Sequence, residues 1–188
     1  QISPALIHVD LKMILLTTSH RPTRAMRTLC KDLAATIPSL KKVNRGKMSF
    51  YDIEERAFEI GADRVLIIDR WKGRPGRIRL FEIKNGIQQI PPQIYVRGVK
   101  FRRDFKIKPA DQNSPQIIFI EEPEGLDEDI KRLNETFARF FKVPKLKPEM
   151  TKKPQHFKVM RFSAEPENII RVSFYLMPKN IEVGPRIR

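Results

Sequence analysis

The densest group of side chains able to do chemistry is one short run. Thr17, Thr18, Ser19 and His20 supply hydroxyl and imidazole groups, and Arg21, Arg24, Arg27 and Lys31 follow immediately. At about 100° per residue, Arg24, Arg27 and Lys31 fall within roughly 60° of one another on a helix, opposite Met26, Leu29, Cys30 and Leu33. A solvated helix face gives the same pattern. Arg21 and Arg24, however, stand where that helix would begin, where the macrodipole is already positive and acidic residues are favoured. Cations there weaken the helix, and they make better sense if a phosphate takes the free N–H groups and the guanidinium groups together. The expected chemistry is anion binding.

Further cations fall in loops and on strands. Lys41, Lys42, Arg45 and Lys47 precede a second helix, and Arg70, Lys72 and Arg74 surround Trp71. Trp71 suits either stacking on an unpaired base or packing at a strand end. Arg77 and Arg79 alternate with Ile78 and Leu80, which puts both on one strand face. A long alternating strand from Tyr95 to about Lys108 is expected to carry Lys100, Arg102, Lys106 and Lys108 on one face, a stripe of roughly 26 Å. Lysine on an exposed edge strand also blocks aggregation, so this stripe has two readings. Lys142, Lys145, Lys147, Lys152 and Lys153 add charge to a proline-spaced segment. The second strand-to-helix junction is the internal contrast. Glu121, Glu122, Glu124, Asp127, Glu128 and Asp129 crowd it, as dipole stabilisation alone would select.

Catalytic constellations are absent from the sequence. No Gly-x-x-x-x-Gly-Lys-Ser/Thr or Gly-x-Gly-x-x-Gly motif occurs. Cys30 falls on an apolar helix face, where a thiol is inert. His8, His20 and His156 lack metal-ligand spacing, and the carboxylates do not converge. The expectation is no catalytic residue, no metal, no cofactor and no enzyme activity.

The elements that must position these groups follow from apolar spacing. Lys12 to Thr18 reads as a strand buried on both faces, followed by a helix that Pro38 stops. A second helix starts at Ser49, with Asp52 in capping-box position, and Gly61 caps its end. Val65–Asp69 and Arg77–Ile83 read as strands, Asn85–Gln93 as a linker carrying Gly86, Pro91 and Pro92. Gln116–Ile120 reads as a buried strand leading to a helix with Ile130, Leu133, Phe137 and Phe140 or Phe141 on one side. Lys145–Gln155 reads as extended, and strands near His156–Phe162 and Asn168–Leu176 close the chain. The class is mixed α/β or α+β, with helices packed on sheet faces, and the second half repeats the strand–turn–helix theme of the first. The 188 residues hold 37 Lys plus Arg against 22 Asp plus Glu, a formal charge of +15 with 40% hydrophobic content. That composition excludes a disordered basic tail and calls for a polyanionic partner. One cysteine excludes an internal disulfide framework and suits a reducing compartment, and no apolar run approaches membrane-spanning length.

Three segments carry a family resemblance. Leu15-Leu16-Thr17-Thr18-Ser19-His20-Arg21-Pro22-Thr23-Arg24 and its helix resemble the opening of the Brix domain. Val43-Asn44-Arg45-Gly46 resembles that family's Asn-Arg-Gly signature, and Asp69-Arg70-Trp71-Lys72-Gly73-Arg74-Pro75 is similar to its Gly-x-Pro loop. Together they cover about Met13 to Ile83, and the Leu-Pro-x-Gly-Pro-Thr segment of eukaryotic members is missing. The short chain resembles the archaeal form related to a small-subunit processome protein. The resemblance implies one Brix domain over 1–188, with half-domains 12–92 and 93–182 that resemble the anticodon-binding domains of class II aminoacyl-tRNA synthetases. It also implies ribosome biogenesis in the cytoplasm through binding of ribosomal RNA or pre-rRNA, with ribosomal proteins or other assembly factors as further partners and no membrane. The RNA-binding residues expected are Arg21, Arg24, Arg27, Lys42, Arg45, Lys47, Arg70, Trp71, Lys72, Arg74, Arg77, Arg79, Lys100 and Arg102. The alternative is a protein-docking module of an assembly complex with weak RNA affinity, seated on the second half.

Overall fold

The computed structural model describes residues 12–112, 117–125, 127–149 and 156–188. The expected mixed α/β architecture is present as two sheets with helices between and beside them. The first sheet is built from β1 (Met13–Thr18), β2 (Leu40–Lys42), β3 (Ala62–Trp71), β4 (Arg74–Ile83) and β5 (Ile87–Tyr95), in the order β2-β1-β3-β4-β5. Strands β2 and β3 both run parallel to β1, while β3, β4 and β5 form an antiparallel meander. Helices α1 (Arg24–Thr36) and α2 (Phe50–Glu59) make the two crossovers.

The second sheet has the order β6-β11-β9-β8-β7, with β10 added to β9. Its strands are β6 (Val99–Lys100), β7 (Ile118–Ile120), β8 (Phe157–Glu165), β9 (Ile169–Met177), β10 (Ile181–Glu182) and β11 (Arg186–Ile187). A one-turn helix, α3 (Pro109–Gln112), lies between β6 and β7, and α4 (Glu128–Phe141) between β7 and β8. β7 is parallel to β8, β8 antiparallel to β9, and a single bridge sets Lys145 beside Ile120 as β2 sits beside β1. The strand directions of the first sheet therefore recur in the second.

Period-2 alternation explains why both faces of the first sheet are covered. Leu15, Val65, Ile67 and Phe81 face α2 through Ile53 and Ala57. Ile14, Leu16, Leu66, Ile68, Ile78 and Leu80 join Leu29, Cys30 and Leu33 of α1. That cluster continues without a break into Ile130, Leu133 and Phe137 of α4 and Met160, Phe162, Val172 and Phe174 of the second sheet. The two sheets thus share one core. Cys30 is fully buried in it, and burial pushes its thiol up to about 12, as expected of an inert position.

Local signals placed several boundaries correctly. Ser49 and Asp52 form the expected capping box, with Ser49 N–H donating to Asp52 Oδ2 at 2.8 Å, and Gly61 adopts φ +70 just past α2. Two expectations need correction. Residues 85–93 are largely strand β5, not a linker. The long strand over 95–108 does not form: β6 ends at Lys100 and a 3-10 turn spans Arg102–Asp104, where Phe101 N–H donates to Asp104 Oδ2 at 3.1 Å. With it goes the 26 Å basic stripe. Of the extended segment 145–155 and the strand from Gln116, residues 150–155 and 116 lie outside the described residues.

Candidate nucleic-acid interface

Strands β1 and β2 are parallel neighbours, and the loops leaving their carboxyl ends diverge. The loop after β1 leads to α1 on the face of the shared core, and the loop after β2 leads to α2 on the opposite face. Such a divergence opens a crevice at the carboxyl ends of parallel strands, a recurrent ligand site in open α/β sheets. Here it measures about 520 Å³, with Thr18, Arg21 and Arg27 on one wall and Lys42, Asn44 and Arg45 on the other. The structure thus brings together four of the cations singled out from sequence.

Arg45 forms the floor. It is buried, its Nη1 donates to the Thr18 carbonyl at 3.0 Å, and its Nε donates to the Met48 carbonyl at 2.8 Å. Its guanidinium lies 5.6 Å from the ring centre of Phe50. Burial, then the nearby Arg79, lower its pKa, with Asp69 opposing them, yet a guanidinium stays charged in this setting. Arg45 therefore contributes positive potential and loop geometry while its fork is already occupied.

The surrounding loops are tied to one another. Ser19 N–H donates to the Ile68 carbonyl at 2.9 Å, and Arg70 N–H donates to Ser19 Oγ at 3.0 Å. Arg70 Nη1 reaches the Arg21 carbonyl at 3.2 Å, and His20 Nε2 lies 3.0 Å from the Met48 carbonyl. Arg21 is held at φ 53, a left-handed conformation that costs a non-glycine residue about 1 kcal/mol and persists when neighbours impose it. Helix α1 has no acid in its first turn; Thr23 caps it through Met26 N–H, and Arg24 is exposed beside it, as is Lys47 in the next loop.

The β3–β4 hairpin extends this edge. Its two loop residues, Lys72 (φ 47) and Gly73 (φ 77), are both left-handed, the geometry that matches strand twist in a tight hairpin. Arg70, Trp71, Lys72 and Arg74 are exposed there, Trp71 at 62%. Its backbone is held against Gly76, where a Cβ would lie 2.1 Å from the Trp71 Cβ. The packing reading of Trp71 gives way to an open ring face.

Besides Arg45, four further residues of the expected set are placed elsewhere or engaged within the fold. Arg77 and Arg79 do share a strand face, but both converge on buried Asp69. Arg77 Nε and Arg79 Nε reach its Oδ2 at 2.6 and 2.7 Å, and Arg79 Nη2 reaches its Oδ1 at 2.9 Å. Arg79 also lies against the rings of Phe50 and Phe81. Lys100 stands 4.4 Å from the ring centre of Phe105, and Arg102 N–H donates to Asp32 at 2.8 Å; neither lines the crevice. Apolar spacing groups Phe50 with Ile53, Ala57 and Ile60 on the core face of the second helix, but the structure leaves it 41% exposed, with its ring against Arg45 and Arg79. Its position at the first residue of a helix gave no sign of that.

The acidic junction behaves as its composition suggested. Asp127 caps α4 by accepting from Asp129 and Ile130 N–H groups at 2.9 and 3.1 Å. Glu121 holds Arg161, and Glu122 and Glu135 hold Lys145.

Two sheets fused through one core, with a cation-lined crevice at the parallel strand ends of the first, define a basic α/β domain. The chain belongs to the Brix domain family, whose pattern matches residues 19–188. It is 34% identical over 118 residues to a protein of Pyrococcus horikoshii described as "Probable Brix domain-containing ribosomal biogenesis protein", covering 61% of this chain and 53% of that one. A protein of Aeropyrum pernix with the same description is 35% identical over 92 residues, 47% of this chain and 50% of the relative. The matched stretch spans about half the length of these curated relatives. The fold is similar to the crystal structure of a probable ribosomal biogenesis protein from Aeropyrum pernix, with a TM-score of 0.73 and 26% identity over 94% of each chain. An archaeal Imp4-like protein shares the fold at a TM-score of 0.62 and 18% identity, over 92% of this chain and 94% of that one.

Proposed function

We propose that this protein is a non-enzymatic ribosome biogenesis factor of the archaeal cytoplasm that binds ribosomal RNA or its precursor and assists processing or small-subunit assembly. The observation that carries the reading is the crevice between the carboxyl ends of β1 and β2, lined by Arg21, Arg27, Lys42 and Arg45, with the hairpin of Arg70, Trp71, Lys72 and Arg74 extending the same edge. Arg21, Arg24, Arg27, Lys42 and Lys47 suit phosphate oxygens, which position a strand without reading its bases. Trp71 offers a face for an unpaired base. Arg45, Arg77 and Arg79 shape the edge from behind, through Thr18, Met48 and Asp69.

Fluorescence anisotropy with a labelled ribosomal RNA fragment tests this. The pair Arg27→Ala and Lys42→Ala should weaken binding about tenfold or more, while the same changes at Lys106 and Lys108 should not. Equal effects of both pairs would remove the crevice from the account. At the alternative seat for a protein partner, the acidic junction before α4, Asp127 is engaged by the cap and Glu121 and Glu122 by Arg161 and Lys145, which leaves Glu128 and Asp129 as its exposed carboxylates.

A further inference from the structure

The first sheet also carries a surface of the opposite sign. Helix α2 buries Ile53 and Ala57 and turns Tyr51, Glu55, Phe58 and Glu59 outward. Tyr51 is 67% exposed and Phe58 86%, and their seven-residue separation sets them on one stripe two turns apart. A cleft of about 740 Å³ runs beside this stripe, floored by Gly61, Ala62, Asp63 and Ile83. In a chain of net charge +15 this lining is acidic: Glu54, Glu55, Glu59 and Asp63 face a lone Lys12. Glu59 pairs with Arg56 at 2.9 Å, and the Tyr51 hydroxyl is hydrogen-bonded to Glu55, which raises its pKa. Asp63 Oδ2 lies 3.9 Å from Lys142 Nζ, while its Oδ1 is buried with no donor.

Two aromatic rings this exposed bury little of their surface in this fold, and aromatic side chains are enriched where proteins meet. A nucleic acid would be repelled by the carboxylates. Residues 1–11, which join the chain at Lys12, contain Asp10 and no lysine or arginine, so they lack the charge to match them. We propose that the outer face of α2 docks a basic segment of a partner protein that alternates cations with apolar side chains. Phe58 and Tyr51 take the apolar side chains, and the Glu54 and Glu55 carboxylates accept from the partner's lysine or arginine groups. The site is separate from the basic crevice, so it stands or falls independently of RNA binding.

The probe is a short labelled peptide alternating lysine with leucine and phenylalanine, with a second peptide carrying glutamate in place of lysine, titrated into the full chain by anisotropy and by amide shift mapping. The lysine peptide should saturate and perturb α2 amides. Phe58→Ser should weaken it about tenfold with unchanged Tm and unchanged RNA affinity. The pair Glu54→Lys and Glu55→Lys should also weaken it, whereas Glu128→Lys and Asp129→Lys on α4, of equal charge change, should not. The proposal is overturned if the lysine peptide leaves α2 unperturbed, if Phe58→Ser has no effect, or if both charge-reversal pairs act alike. Sedimentation showing a dimer that Phe58→Ser dissolves would also overturn it, by making a second copy the occupant.

Discussion

The buried ammonium group of Lys158, on β8, donates to the carbonyl of Thr36 at 2.9 Å, so the second sheet closes the C-terminal end of α1. Arg64, on β3, does the converse: its Nη1 reaches the carbonyls of Arg139 and Phe140 at 2.9 and 2.5 Å, at the end of α4. The two cations occupy matching places, since Arg64 pairs with Ile14 on β1 and Lys158 with Ile118 on β7. Cations are favoured at helix C-termini, and unpaired terminal carbonyls need donors. Each sheet caps the helix of the other, which fixes the orientation of α1 and therefore of the arginines at its start.

Lys158 makes stability depend on pH. Burial, with a smaller contribution from Arg102, pushes its pKa down to about 8 from 10.5. Between those values the unfolded chain binds more protons at this site than the folded one, so its contribution to unfolding free energy rises with pH across the window. Lys158→Met should remove that rise and, at neutral pH, change stability by no more than about 1 kcal/mol, because lost hydrogen bonding is offset by relief of desolvation. Urea unfolding across the window checks both; identical pH slopes for the two proteins would contradict the assignment.

Arg45 should behave as a structural cation. Removing its hydrogen bonds takes a donor from the buried Thr18 carbonyl and leaves the Met48 carbonyl with the His20 ring beside it, so Arg45→Ala should cost about 1 to 3 kcal/mol. Arg45→Lys should recover little, since an ammonium group cannot span both carbonyls as the planar fork does. Thermal unfolding of the three proteins measures this, and an unchanged Tm for Arg45→Ala would refute it.

Trp71 should matter for RNA and little for the fold. Trp71→Ala should weaken single-stranded RNA binding by about 1 to 3 kcal/mol, the usual value of one stacked base. Because Trp71 is the sole tryptophan, wild-type fluorescence should quench as RNA is added. Binding without quenching would place the ring outside the interface.

What could be read from the chain was set by how local each cause is. The strand–turn–helix start from Met13 and the Ser49–Asp52 capping box depend on neighbours within a few residues, and both were legible. Pro91 and Pro92 suggested a break, but β5 is an edge strand, where a missing N–H is tolerated. The alternation of Phe101, Phe105 and Ile107 suggested a strand. In the fold the Asp104 carboxylate turns the backbone, and the Phe105 ring lies where a Cβ on Gly184 would clash. The cluster of cations at the first junction was visible in residue types alone. That Arg77 and Arg79 answer to Asp69, and that Lys158 reaches α1 across 122 residues, depends on tertiary pairing that residue spacing does not encode.

The most direct test of the RNA-binding edge is the salt dependence of ribosomal RNA affinity for the wild-type chain and the triple variant Arg21→Ala, Arg24→Ala, Arg27→Ala. Log K should fall linearly with log salt, with a slope of about −0.7 per neutralised phosphate on a single strand. The triple variant should lose about 2 from the magnitude of that slope, if each arginine meets one phosphate, with Tm unchanged or slightly higher. Salt-insensitive binding, or a variant that unfolds earlier while keeping the wild-type slope, would contradict the account.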